Sequence, residues 1–513
     1  MAYKSNMILF LLGGLIWGSV AQHSIYVSPA GSDDTGDGTM ASPYFTFLKA
    51  VVIVRSLLPS DTNVSVYFRA GAYYLTEPLL LGPEDSGSGP NSLVRYVAGW
   101  PSDPPSGGAV VVHAGARVGG WVVSDASRGI WSAPLPQGVS DSRQVYKDGE
   151  RLQSGSVAGG LGRHAGLSAT GYSVAAADTP WLLPNITQQF PGDVEFVYTG
   201  VGSSWTESRL RVASVEELTG GEILNISMAQ PGWTFHPRAF GQRLTYPASI
   251  SNLYAGLGNG TGFYYLNSAT RTLYYSATPG ENPNTHQFMV PSSDLLFSAN
   301  ATHWISLEGL TWSYAGWLEP NSGVGYVDIQ SGFRYTSVAE YERNPANDTQ
   351  WVPVPGNIQL HGARNVSITG CTFSHLGATA LEINDGSQYV TVQNCTFSDV
   401  SAGGLLVGQV NDLNVTDPTA ENGWYSIVGN AFLNIPVEFH DCAALLAGFV
   451  LHTDISHNAI VNNSNIGISV GWGWSRDLAS NAGWNTVTGN YGAFLDFPPN
   501  PVILCRPIFC CAV

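Results

Sequence analysis

Lysine is nearly absent: only Lys4, Lys49 and Lys147 occur in 513 residues, and charged residues make up just 12% of the chain. Asp and Glu number 38 against 21 Lys and Arg, which gives a formal net charge of −17. A chain so poor in cations cannot neutralise a phosphate backbone, so nucleic acid is excluded as a partner. No basic cluster suits an anionic membrane surface. Cysteine is scarce, and the six residues include no Cys-x-x-Cys pair of the kind that holds zinc. Neither a metal nor a cofactor is expected. The one sustained apolar run near the start, Met7 to Trp17, is too short to span a bilayer comfortably. With Lys4 before it and Ser19-Val20-Ala21 after it, it reads as a cleavable signal peptide over 1–21. The mature protein is then secreted, with no stable membrane insertion. Ten Asn-x-Ser/Thr sequons fit a secreted glycoprotein.

Glycine (59 residues), β-branched residues and aromatics are plentiful, and they favour strands and turns over helices. A phrase recurs through the second half of the chain. It reads Val366-Ser-Ile-Thr-Gly-Cys-Thr-Phe373, then Val390-Thr-Val-Gln-Asn-Cys-Thr-Phe397. It returns at Tyr425 to Phe432, Thr453 to Ile460 and Asn485 to Gly492. One column of this repeat runs Cys371, Cys395, Asn430, Asn458 and Asn490. Spacings of this length mark a solenoid, and each unit pairs a β-branched strand with a polar turn and a second apolar strand. The fold class expected is all-β: a right-handed parallel β-helix.

The chain divides accordingly. Residues 22–116 read as an N-terminal cap and the first rungs, with Thr46 to Leu57 a short amphipathic helix over the open end. Residues 117–291 lose the rung pattern and read as antiparallel strands between Gly, Pro and Asn turns, an inserted β-sandwich-like domain. Residues 292–500 form the main β-helix, with a long loop leaving it over roughly 319–355. Residues 501–513 are an aberrant cysteine-rich tail in which no rung can be registered, and the expectation is a truncated isoform or a misread gene.

Strand alternation places Ile358, Leu381, Leu405, Leu445 and Ile468 inside the later rungs and Gln359, Glu382, Leu406, Leu446 and Ser469 outside. The outer face is expected to be a shallow open trough. Uronate elimination needs a Lys or Arg base, and between Asn365 and Asn500 only Arg476 qualifies, so a lyase is disfavoured. Hydrolysis needs two carboxylates flanking the glycosidic bond. Glu382, projecting beside apolar Leu406, is the first candidate for general acid. Asp385 on the same strand is its possible partner or merely a turn cap. Glu438 and Asp441, with His440, lie on a loop arriving at the same sheet, where they can close over substrate or remain solvated. His361, Phe449, Trp472 and Trp474 complete the substrate-binding set, although alternation also allows Phe449 and the two indoles to be core residues. The Asn column is structural.

Gly31-Ser-Asp-Asp, Ala70-Gly-Ala-Tyr-Tyr-Leu75, Arg143-Gln-Val-Tyr-Lys-Asp-Gly149 and Gly467-Ile-Ser-Val-Gly-Trp-Gly-Trp474 resemble stretches of glycoside hydrolase family 141 and related secreted β-helix proteins. The resemblance implies a β-helix with a β-sandwich insertion that acts on a polysaccharide or glycan. An Asp-Gly-Gly-x-Ile-Tyr stretch of the family pattern is missing from this chain, which leaves its activity open. The competing reading is a non-catalytic carbohydrate-binding or cell-surface protein on the same scaffold.

Overall fold

The computed structural model describes residues 23–103, 107–158, 161, 166–183, 186–199, 205–239, 246–258, 262–337, 352–411, 415–471 and 480–493. The segments expected to be signal peptide and cysteine-rich tail lie outside them, as do Trp472 and Trp474.

Three parallel sheets wind along one axis. Sheet A stacks nine strands, from His23–Val27 through Ser367–Thr369 to Thr486–Thr488. Sheet B stacks eight, from Gly71–Tyr74 to Tyr491–Ala493. Sheet C stacks seven, from Leu79–Leu81 to Ile466–Val470. Each later turn of chain visits A, B and C in that order, and every strand pairs with its equivalent one turn on. The inward residues meet their equivalents: Phe373, Phe397 and Phe432 stack with ring centroids 4.7 Å apart and nearly parallel planes. The helix Phe47–Leu57 covers the first turn, with Thr46 capping its N-terminus and Phe47, Ala50, Val51 and Val54 buried.

The repeat column is a hydrogen-bond ladder. The Asn430 amide nitrogen donates to Oδ1 of Asn458, 2.9 Å away, and Asn458 repeats the bond to Asn490. Backbone N–H groups of Cys395, Asn430 and Asn458 donate to the next amide along. Cys371 and Cys395, in the same column, are buried free thiols that donate to backbone carbonyls, Leu307 for Cys371 and Ile368 for Cys395.

The two longest excursions leave from the corner between sheets B and C. The first runs from Gly115–Val118 to Phe288–Pro291, two strands that pair and close its neck. It contains a four-stranded and a five-stranded sheet, packed over a shared core of Val118, Trp121, Leu266, Leu273 and Phe288. A larger sheet runs through Glu195–Thr199, Glu207–Leu218 and Ile223–Met228. The segment read as a long loop over 319–355 is strand-forming where described. Tyr326–Gln330 joins that larger sheet beside Glu207–Leu218, and Phe333–Arg334 and Val352–Pro353 extend it. Alternation in this segment is too short to register from sequence.

These excursions fold over sheet C, so the expected open trough is closed. Leu406, Leu446 and Ile466 belong to one buried cluster with Phe196, Leu210, Val327 and Phe333 of the excursions. Along the outward column, exposure falls from 60% at Leu80 to 6% at Glu382, 5% at Leu406 and 1% at Ser469. Alternation assigned these side chains correctly to the outer face, but that face is an internal seam.

Replacing Asn458 with Ala should leave the Asn430 N–H and the Ile427 carbonyl without buried partners. At about 1–3 kcal/mol for each unsatisfied group, the variant is expected to lose roughly 2–5 kcal/mol, read as a lowered urea midpoint. An unchanged midpoint would refute a stabilising ladder.

Candidate functional site

The strands Gly356–His361, Thr379–Asn384 and Leu405–Val407 lie side by side in sheet C. Their register sets Gln359 beside Glu382 and His361 beside Asn384. At the ends of these strands the covering sheet stops, and a cavity of about 220 Å³ opens. His361, Glu382, Asn384 and Asp385 line it on the sheet side, Gly408 to Asn411 form its far edge, and Phe333 and Pro353 wall it against the covering sheet. Asp385 has a positive φ of 54°, which turns the chain out of the sheet and swings its carboxyl towards the neighbouring turn.

His361 Nδ1 lies 2.5 Å from Oδ2 of Asp385. The Gln409 amide donates to the other Asp385 oxygen. The hydrogen bond to His361 holds the Asp385 carboxyl below the usual range. The same bond raises the pKa of His361 despite its burial, and the charge of Glu382 adds to the effect. Each partner therefore favours the charged form of the other. Glu382 is more shielded: Oε2 accepts the Gly356 N–H at 2.8 Å and Oε1 accepts from Asn384 Nδ2 at 3.2 Å. His361 Nε2 is buried with no partner among the described residues. Two carboxyls and an imidazole thus meet, one carboxyl held ionised and the other in the interior wall. Groups whose environments differ in this way can divide acid and base roles.

The other sequence candidates lie elsewhere. Glu438 is a buried strut between the insert and the solenoid. Its Oε1 is 2.6 Å from Arg143 Nη2, its Oε2 accepts from Gln144, and Arg143 and Arg209 also bind Glu195. Burial pushes the Glu438 carboxyl up, but Arg143, Arg209 and Arg151 outweigh it and hold it low. His440 contacts Glu207 through Nδ1 at 3.1 Å, away from the pocket lining. Asp441 is buried under Tyr326, whose hydroxyl donates to it at 2.7 Å. Burial raises the carboxyls of Asp441 and buried Asp328, helped by the charge of Asp441 on Asp328 and of Glu207 on Asp441, so the protonated forms are favoured. Phe449 packs, partly buried, against the covering core. A charged loop on an outer face reads as solvated or functional, and the distant arginines that bury this one are invisible at that stage. Gln409, Asn384, Phe333 and Pro353 were not singled out as site residues. Gln409 lies two residues past the strand Leu405–Val407, and Phe333 and Pro353 fall in the segment read as loop.

A family model described as right handed beta helix region matches residues 356–495. Among solved structures, one described as a glycoside hydrolase superimposes with a TM-score of 0.72 at 24% identity, covering 89% of this chain and 81% of its own. The fold is a right-handed parallel β-helix. Weaker likenesses to this β-helix are a xylose complex of XylC and a GH136 lacto-N-biosidase from Eubacterium ramulus. The first has a TM-score of 0.47 at 12% identity, covering 92% of this chain and 63% of that one. The second has a TM-score of 0.19 at 8% identity, covering 92% and 68%. Neither score carries an argument. No curated protein matches the chain in sequence.

Glu438→Ala should destabilise the β-helix by about 3–5 kcal/mol, because it strands buried arginines; a midpoint within about 1 kcal/mol of the parent would refute the strut. The acid pair predicts the opposite pH trend to an ion pair. Both folded pKa values lie above the ordinary value near 3.9, so the contribution is complete below about pH 4 and lost as pH rises through the folded values. The parent Tm should therefore fall relative to Asp441→Asn as pH rises from about 4 to neutrality. Parallel Tm profiles would show that the protonated forms are not favoured.

Proposed function

We propose that the protein is a secreted glycoside hydrolase-like enzyme that cleaves glycosidic bonds at the His361–Glu382–Asp385 pocket. The observation that carries this reading is the meeting of two carboxyls in different environments, one of them bonded to an imidazole, in a cavity of about 220 Å³ at the edge of sheet C. Asp385, kept ionised by His361, takes the proton of the attacking water or attacks the anomeric carbon itself. Glu382, which takes up a proton as substrate excludes water from the pocket, gives that proton to the leaving oxygen. The bond from the anomeric carbon to that oxygen breaks, and water supplies the new hydroxyl. His361 is a positioning residue that orients Asp385. The superposition on a glycoside hydrolase and the motif resemblance to family 141 support the substrate class, and the expected signal peptide supports secretion.

A binding-only reading has one observation in its favour. Tyr389, Trp424, His452 and Trp484 stack face to face along the solenoid at 5.4, 5.4 and 5.1 Å, with Tyr389 and Trp484 exposed. Aromatic faces of this kind hold sugar rings without chemistry.

Product masses from a panel of plant and algal polysaccharides discriminate the two. Hydrolysis adds one water per cleavage. Glu382→Gln and Asp385→Asn should each lower kcat/KM by at least about 100-fold. His361→Gln should lower kcat, leave KM nearly unchanged, and move the limb of the pH profile set by Asp385 upward, because the carboxylate loses its partner. Intact polymers with folded protein, or full activity in both carboxyl variants, would defeat the hydrolase reading at this site.

A further inference from the structure

The geometry points to a chain-end site: we propose that the pocket takes the terminal unit of a neutral glycan, with the rest of the chain running back over the N-terminal rungs of sheet C. This deepens the hydrolase reading and rests on it.

A glycan lying along the axis would follow the outward column of sheet C. On the N-terminal side that column is open: Leu80 is 60% exposed, and Ser298 and Gln359 are half-buried. Asn300, exposed and in register with His361, adds an amide beside the pocket mouth. On the C-terminal side the column is shut. Leu406 is buried against Phe333, and Leu446 and Ser469 beyond it lie under the covering sheet. A chain can therefore arrive from Ser298 and Gln359 but cannot continue past Leu406.

The cavity has the size this requires. At about 220 Å³ it is smaller than the roughly 300–1,000 Å³ of sites that enclose drug-sized ligands, and it suits about one sugar ring. Glu382, buried, and Asp385, exposed at its opening, both line it, so the bond they can reach is the one joining the terminal unit to the chain. The lining also limits charge. Among the described residues its only cationic group is His361, already paired with Asp385, and besides the two carboxyls the polar side chains are amides of Asn384, Gln409 and Asn411. An acidic sugar would meet two carboxyls without a free countercharge, whereas hydroxyl groups match the amides.

The test is the order in which products form from neutral hexasaccharides of xylan, arabinan and galactan, reduced at one end and followed by mass spectrometry from the first few per cent of conversion. A monosaccharide and a pentasaccharide as the sole initial products are expected. Disaccharides and tetrasaccharides, or two trisaccharides, appearing first would overturn the chain-end inference while leaving the hydrolase reading intact. No cleavage of any hexasaccharide or of the polysaccharide panel by folded protein would overturn both. Uronate-containing hexasaccharides run in parallel should remain uncut, and preferential cleavage of these would overturn the assignment to neutral sugars.

Discussion

The strands of one turn of this solenoid have no ladder partner within that turn. Its strands are completed only by the turns before and after, and its inward side chains only by their equivalents about 4.8 Å along the axis. The asparagine ladder makes this dependence explicit, since each amide both supports the turn preceding it and leans on the next. Register along the axis is therefore held tightly. A slip by one residue would turn Phe373, Phe397 and Phe432 out of the core together. With the inner face so fixed, variation is confined to the corners.

The two longest excursions share one corner, and that shared departure builds the site. Because the long insert, the strands around Tyr326 and the Glu438 loop all depart between sheets B and C, they meet over sheet C and bury its outer face. The seam is tied by Arg143 and Arg209 reaching Glu195 and Glu438, and by the Tyr326 hydroxyl donating to Asp441. The pocket is what remains where the cover ends. Its walls belong to excursions and its polar groups to rungs, so rigid strands position the chemistry while variable segments shape access.

The rungs, the capping helix and the structural role of the asparagine column were legible in the sequence, because they rest on local periodicity. His361, Glu382 and Asp385 were legible as neighbours because rung spacing alone brings them together. What lay over them was not. Alternation separates inside from outside but cannot say whether the outside meets water, and Leu406 and Leu446 on the presumed solvent face were the one local hint that it does not. The misassigned carboxylates, Glu438 and Asp441, are joined to Arg143, Arg209 and Asp328, partners more than a hundred residues earlier in the chain. No pattern within a window of sequence reports such pairings.

The long insert also sets the timing of assembly. Val94–Ala98 and Val110–His113 must wait for Ile305–Glu308 and Thr311–Ala315 as their next neighbours. At synthesis rates of about 5–20 residues per second, the gap of about 200 residues leaves those strand edges unpaired for roughly 10–40 s. The neck strands Gly115–Val118 and Phe288–Pro291 close the insert on itself just before the solenoid resumes. The insert is thus a unit that can fold first and hand the chain back beside its starting point, turning a slow long-range search into a short local one.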